Sequence, residues 1–340
     1  MQQQVLDMPA QVPVQAPRAK HKRFQLKNLG ELAALVVLIG VFAALNPETF
    51  LSVANARTIM DQASLPLIIG VGATLVILMG SIDLSVEGVM GAAGMTFILL
   101  TANSRDTVDL GPLAILAAIG VGVLLGLMSG LLHTRLKVPS FIVTLGVWFV
   151  GLGIATVLFG ESAIPTLPDG GLKAWPSELT LAIPNSFVLA VLVVVVGAAV
   201  ARYTRVGRFA YAIGNSEEIA RDNGVPVNRY KVLVFIVAGA CSALAGVLAT
   251  LQLGSGSATV GVGTLFLTIA AVVIGGTSLG GGRGGVLRTA VGVMLLTVLN
   301  NGLILSGVSA NIQSGVSGAV LILAIVAASW PNRSRLRIMK

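Results

Sequence analysis

Residues 111–132 read GPLAILAAIGVGVLLGLMSGLL, 22 positions without one ionisable side chain. Coiled as an α-helix at about 1.5 Å per residue, such a run is about 33 Å long, enough to cross a hydrocarbon core of roughly 30 Å. Nine further apolar runs flank it, at 29–45, 64–80, 84–101, 139–159, 185–201, 232–252, 262–279, 286–304 and 312–330. Hydrophobic residues make up 55% of the chain, charged residues 11%, and the mean hydropathy is +0.91. An ordinary soluble domain carries about a quarter charged residues, so water is not the main solvent of this chain. The sequence reads as an all-α, polytopic integral membrane protein with about ten transmembrane helices.

Charge fixes the expected topology. With the amino terminus in the cytoplasm, that side collects all of the 22 Lys and Arg residues except Arg57, Arg105 and Lys173. This is the asymmetry of cytoplasmic loops, and it puts both termini inside. The net charge of +8 therefore reflects topology; basic residues scattered over loop edges, without interleaved aromatics, do not make a nucleic-acid surface. The first apolar run follows a long basic leader and precedes nine others, so it is expected to be an uncleaved anchor and not a secretory signal. Residues 1–28 are expected to form a disordered basic cytoplasmic tail, 29–330 one transmembrane domain and 331–340 a second cytoplasmic tail.

The single cysteine, Cys241, excludes an intrachain disulfide, and the two histidines, His21 and His133, lie far from any metal-ligand spacing. No metal site is expected. The glycine-rich run 275–285 lacks the Lys-Ser or Lys-Thr of a nucleotide-binding loop and reads as a tight cytoplasmic turn. Glycines at 120, 122, 126 and 130, and at 146, 151 and 153, are expected to let helices approach closely. Residues 80–88 and 275–284 share a weak internal similarity.

Two stretches between spans are long. Residues 160–184 carry Pro165, Pro168, Pro176 and Pro184 with Gly170 and Gly171, and read as a turn-rich outer loop or short surface helix. Residues 202–231 hold a different pattern, centred on Asn215-Ser216-Glu217-Glu218-Ile219-Ala220-Arg221-Asp222-Asn223-Gly224. Here Asn215 is expected to cap a short helix with Glu218 reaching back to it. Glu217 and Arg221 suit the two ends of the dipole, and Gly224 closes the helix in the left-handed region. A two-turn helix is marginal alone, so it is expected to pack against something.

At this loop the chain resembles the permease subunits of ATP-binding-cassette importers of the ribose or monosaccharide type. Glu217, Arg221, Gly224 and Val227-Asn228 match the coupling loop of that family, while Glu218, Ile219, Asp222 and Asn223 depart from it. The resemblance extends through Gly80-Ser81-Ile82-Asp83-Leu84-Ser85-Val86, Val138-Pro139-Ser140-Phe141-Ile142-Val143-Thr144-Leu145, residues 269–279 and Asn300-Asn301-Gly302-Leu303. Two further departures stand out: Glu87 replaces a usual glycine, and Leu265-Phe266-Leu267-Thr268 replaces a stretch with two carboxylates. The resemblance implies a permease fold in which Asn215, Glu217, Glu218, Ala220, Arg221 and Gly224 couple to a separate ATPase subunit. ATP is bound there, and this chain needs no cofactor of its own. It also implies a second permease subunit, identical or related, and a periplasmic or lipid-anchored solute-binding protein. The setting is the bacterial inner membrane and its lipid, and the cargo a monosaccharide or related polyol.

Asp83, Ser85, Glu87, Thr144, Asn300 and Asn301 are the candidate residues of the translocation path. Each has a structural alternative. Asp83 and Glu87 can serve the start of the third span, where negative charge is favoured, and the asparagines can bond between helices. Two rival functions remain at this point: the same machine for a nucleoside, signalling sugar or branched-chain amino acid, and an ion-driven secondary transporter. The second normally needs ionisable groups in mid-membrane, and the span interiors here hold few.

Overall fold

The computed structural model describes residues 30–309 and isolated positions between 312 and 322. The elements run α1 (Gly30–Leu45), α2 (Pro47–Phe50), α3 (Val53–Leu78), α4 (Val86–Leu99), α5 (Pro112–Leu136), α6 (Ser140–Phe159) and α7 (Gly171–Ala174). A small hairpin of β1 (Leu179–Thr180) and β2 (Ile183–Pro184) follows. Then come α8 (Asn185–Tyr203), α9 (Arg205–Asn215), α10 (Glu217–Asp222), α11 (Val227–Leu253), α12 (Thr264–Ile274) and α13 (Val286–Leu305). The outer stretch 160–184 thus holds both a short helix and a hairpin, in which Leu179 faces Pro184.

Among the described residues six helices, α3, α5, α6, α8, α11 and α13, are long and apolar enough to cross a bilayer. The expected runs 84–101 and 262–279 are not continuous spans. Their helices, α4 and α12, have only 14 and 11 residues. The expected span 312–330, apart from those isolated positions, and both tails lie outside the described residues. The expected span 64–80 begins eleven residues earlier, at Val53, and carries Arg57 and Asp61 along its first three turns.

The two half-helices share one construction. Before α4, residues 80–85 run non-helically beside the first turns of α6. The amide of Ile82 donates to Ser140 Oγ (3.0 Å) and that of Leu84 to Thr144 Oγ1 (2.9 Å). Gly88 then lies against Trp148 and Gly151 of α6, so α4 begins about 12 Å along that neighbour. Before α12, residues 254–263 descend from the other side, with Gly256 donating to Pro165 O (2.8 Å) and Gly261 against Met90. Non-helical backbone survives at membrane depth only where protein groups satisfy it, and here hydroxyls and carbonyls of packed neighbours do so. The paired units are therefore 80–99 and 254–274. The similar glycine runs at 80–88 and 275–284 instead touch one another, since a Cβ on Gly281 would lie 2.8 Å from Gly80 N.

Helix α3 is buried on every side from Ala63 to Leu78 apart from Leu65, and with α11 it forms the centre of the bundle. One core layer gathers α3, α8, α11, α12 and α13 around Leu75, Phe235 and Leu296; another gathers α4, α5, α6 and α11 around Phe97, Val147 and Val247. Helix α1 joins at the edge, through Phe42 against Phe50 and Val298. Close packing on α5 uses Gly122, Gly126 and Gly130, whose Cβ atoms would strike Gly239 O, Phe235 O and Val232 Cα of α11 at 2.3, 2.3 and 2.8 Å. Gly120 belongs to another face and meets nothing. On α6 only Gly151 makes a close approach, to Gly88, while Gly146 and Gly153 face open space.

Connections gather at two ends. One end holds the C-terminus of α3, the junctions α5–α6 and α8–α11, and the turn 275–285, where Gly282 donates to Leu78 O (2.9 Å). It carries Arg135, Lys137, Arg202, Arg205, Arg208, Arg221, Arg229, Lys231, Arg283 and Arg288. The opposite end joins 100–111, 160–184 and 254–263 through Ser104 to Thr166 O and Leu167 to Gly254 O, both 2.9 Å.

Candidate functional site

At the basic end α9 and α10 form a compact projection. Helix α9 starts at Thr204, whose side-chain oxygen accepts from Gly207 N, and it runs through Asn215. Asn215 is therefore helical and does not cap the next element. Its Nδ2 donates back to Tyr211 O (2.8 Å). The cap of α10 is Ser216, which has the extended backbone a cap requires (φ −163°, ψ 109°) and accepts from Ile219 N. Glu218 is then the second helical residue, one short of the position from which a glutamate reaches back, and it stays exposed. At the other end Gly224 has φ +77°, Gly224 N bonds Arg221 O (2.9 Å) and Val225 N bonds Ala220 O (3.1 Å). These are the two bonds of a Schellman closure, and a left-handed residue makes them possible.

Glu217 faces its own chain. Oε1 accepts from Arg221 (2.8 Å) and Oε2 from the largely buried Lys231 of α11 (2.7 Å). Lys231 Nζ also lies 3.4 Å from His133 Nε2 at the end of α5, and His133 Nδ1 meets Val138 O at 2.7 Å. Partial burial pushes the Glu217 carboxyl up, but Lys231 and Arg221 outweigh it and hold the group below its usual 4.5. The exposed Arg221 pair is worth about 0.3–0.5 kcal/mol. The Lys231 pair is less hydrated and ties α10 to α5 and α11. Ala220 is buried on the same side. What the projection presents outward is Glu218, Asp222 and Ile219, the last 64% exposed although apolar.

Inside the bundle, Asp83 Oδ1 accepts from Ser85 N (2.8 Å) and Ser85 Oγ (2.6 Å), so both serve the entry to α4. Thr144 completes the same segment through Leu84. Glu87, 7% exposed, does not serve its own helix: Oε1 accepts from Gly263 N (3.0 Å) and Leu265 N (3.2 Å) at the start of α12. Two half-helices thus begin at one depth with their positive ends together, and a carboxyl oxygen accepts at each start, from Asp83 at α4 and from Glu87 at α12. Asn301 Nδ2 donates to Asn55 Oδ1 (2.9 Å), bonding α13 to α3. Asn300 is half-buried on α13.

Sequence reading missed several of these groups. Ser140 stands four residues before Thr144, a hydroxyl pair on one face of a helix start. Asp61 Oδ1 accepts from Ser186 Oγ of α8 (2.5 Å) and Gln252 Nε2 of α11 (2.9 Å). Lys231, His133 and Ser216 complete the basic-end network.

Crossing helices, interior backbone satisfied by side chains and an anchored projection at one end define a multi-pass membrane transport protein. Residues 55–325 match the family described as "Branched-chain amino acid transport system / permease component", and the chain belongs to this permease family. It is 34% identical to the ribose import permease of Escherichia coli K12 over 87% of this chain and 91% of the relative, and 36% identical to that of Bacillus subtilis 168 over 88% and 92%. The D-allose transport system permease of E. coli K12 is 31% identical over 87% and 90%. These relatives are transport permeases, not enzymes. No solved structure matches the chain.

Proposed function

We propose that this chain is the transmembrane subunit of an ATP-driven importer for a monosaccharide or related polyol. The sugar reading is supported by relatives whose names specify ribose and D-allose. Two permease subunits, identical or related, enclose one path in the bacterial inner membrane with both termini cytoplasmic. A periplasmic or lipid-anchored binding protein delivers the sugar, and separate ATPase subunits bind and hydrolyse ATP at the basic end.

The observation that carries this reading is the α9–α10 projection. Its inward face is fastened to two spans by Glu217–Lys231 and by buried Ala220, and its outward face offers Ile219 between acidic side chains. An element rigidly joined to spans and bare on its far side is built to transmit a push. Glu217 is then an anchor of the lever and not a contact of the ATPase; Glu218, Ile219 and Asp222 are the contacts. Asp83, Ser85, Glu87 and Thr144 hold the two half-helices beside the path.

Uptake driven by an ion gradient has the buried carboxyl groups of Asp83 and Glu87 in its favour, but the first is engaged by Ser85 and the second by two backbone amides. Reconstitution in proteoliposomes tests the proposal. Sugar uptake should require the cognate ATPase, its ATP and the binding protein. Uptake by the purified chain alone under a proton or sodium gradient would refute it.

A further inference from the structure

At the basic end a groove of about 870 Å³ opens between α8, α9 and the start of α13. Its rim carries three guanidinium groups, Arg202, Arg208 and Arg288, and no acidic residue lines it. Neither Arg202 nor Arg208 has a carboxylate within 4 Å among the described residues, and both are exposed. The wall is apolar and also uncovered, with Val195 56% and Leu287 63% exposed. Val195 lies eight residues before Tyr203 on α8, about 12 Å along the axis, so the groove runs from a charged rim to hydrocarbon depth. Two tyrosines stand at the rim. Tyr203 is 73% exposed, and Tyr211 donates to Gly284 O (3.0 Å), which fixes the floor.

We infer that this groove binds the headgroup of an anionic phospholipid from the leaflet at the basic end, with one acyl chain along Val195 and Leu287. Charge complementarity selects the occupant. A phosphodiester accepts from planar guanidinium donors, and the same molecule covers the apolar wall that a free anion leaves bare. Tyrosine at this level matches the amphipathic boundary layer of a bilayer.

Native mass spectrometry of the purified full chain, with cardiolipin, phosphatidylglycerol or phosphatidylcholine added to the micelles, provides the test, reading bound lipid and oligomeric state together. Wild type should retain cardiolipin or phosphatidylglycerol over phosphatidylcholine. The Arg202→Gln/Arg208→Gln double substitution should weaken retention by about thirtyfold, as expected for two arginines at a membrane surface. Arg135→Gln, an exposed arginine outside the groove, should change it less than twofold. Three results would overturn the inference: equal retention by the double variant, an equal loss with Arg135→Gln, or displacement of the lipid by millimolar inorganic phosphate, which would mark a free-anion site. Loss of a dimer in the double variant with lipid binding intact would assign the groove to a second copy of the chain and overturn it too. Circular dichroism of both variants separates any of these from misfolding.

Discussion

Glu87 makes the sharpest energetic test of the half-helix arrangement. Its Oε1 takes the amides of Gly263 and Leu265, two of the donors that α12 leaves unsatisfied at its start. Hydrogen bonds to a charged acceptor contribute roughly 1.5–3 kcal/mol each, about twice the neutral kind. Glu87→Gln keeps an oxygen but removes the charge, which takes about 2 kcal/mol from the two bonds and about 1 kcal/mol from the meeting with the helix dipole. Relief of carboxylate desolvation returns part of this, leaving a net loss of about 2 kcal/mol at the first turn of α12. Hydrogen exchange reads that loss locally: the Gly263 and Leu265 amides should exchange about 30-fold faster, with α5 unchanged. Glu87→Ala leaves both amides bare and should cost about 2–5 kcal/mol. If exchange at these two amides is the same in wild type and both variants, Glu87 does not hold α12 and the reasoning is wrong.

Other consequences follow from the same geometry. Lys231→Gln should free α10 from α11, reducing sugar uptake several-fold while leaving membrane insertion intact, as judged by uptake and by the amount of purified chain. Glu217 has its folded value below its usual 4.5, so its stabilisation is present above that value and disappears as pH falls through the depressed one. A nitroxide at exposed Asp222 should therefore gain mobility only below about pH 4.5, and Lys231→Gln should abolish that transition. Gly224→Ala meets no neighbour within 4 Å and should cost only the left-handed strain of about 1 kcal/mol, read by thermal unfolding. Gly214→Ala, whose Cβ would lie 1.8 Å from Leu78 O, should instead prevent assembly of the basic end and give little folded protein.

The long spans were legible because an uncharged run of bilayer length admits few other structures; α5, α6, α8, α11 and α13 fall close to the positions read from hydropathy alone. The half-helices were not. Hydropathy reports that residues 84–101 and 262–279 avoid water, but extended backbone and helix satisfy it equally. Only the distant hydroxyls of Ser140 and Thr144 reveal which segment is extended. Residues 53–63 fall outside the apolar run because Arg57 and Asp61 interrupt it, yet Asp61 is satisfied by Ser186 and Gln252, 125 and 191 residues away. The short helix α10 was visible through its punctuation, with Gly224 correct and the cap one residue off. Both Asn215 and Ser216 are cap formers, and the choice depends on α9 running through 215. The role of Glu217 was hidden because its partner Lys231 belongs to the next span.

The central claim is that α10 is a lever, fastened inwardly through Glu217 and bare outwardly at Ile219. A photo-reactive residue placed at Ile219 in living cells tests it most directly. The account predicts one dominant adduct, with the ATPase subunit, that is lost when Lys231→Gln loosens the anchor. An adduct with a periplasmic protein, or none with any nucleotide-hydrolysing subunit while uptake proceeds, would contradict it.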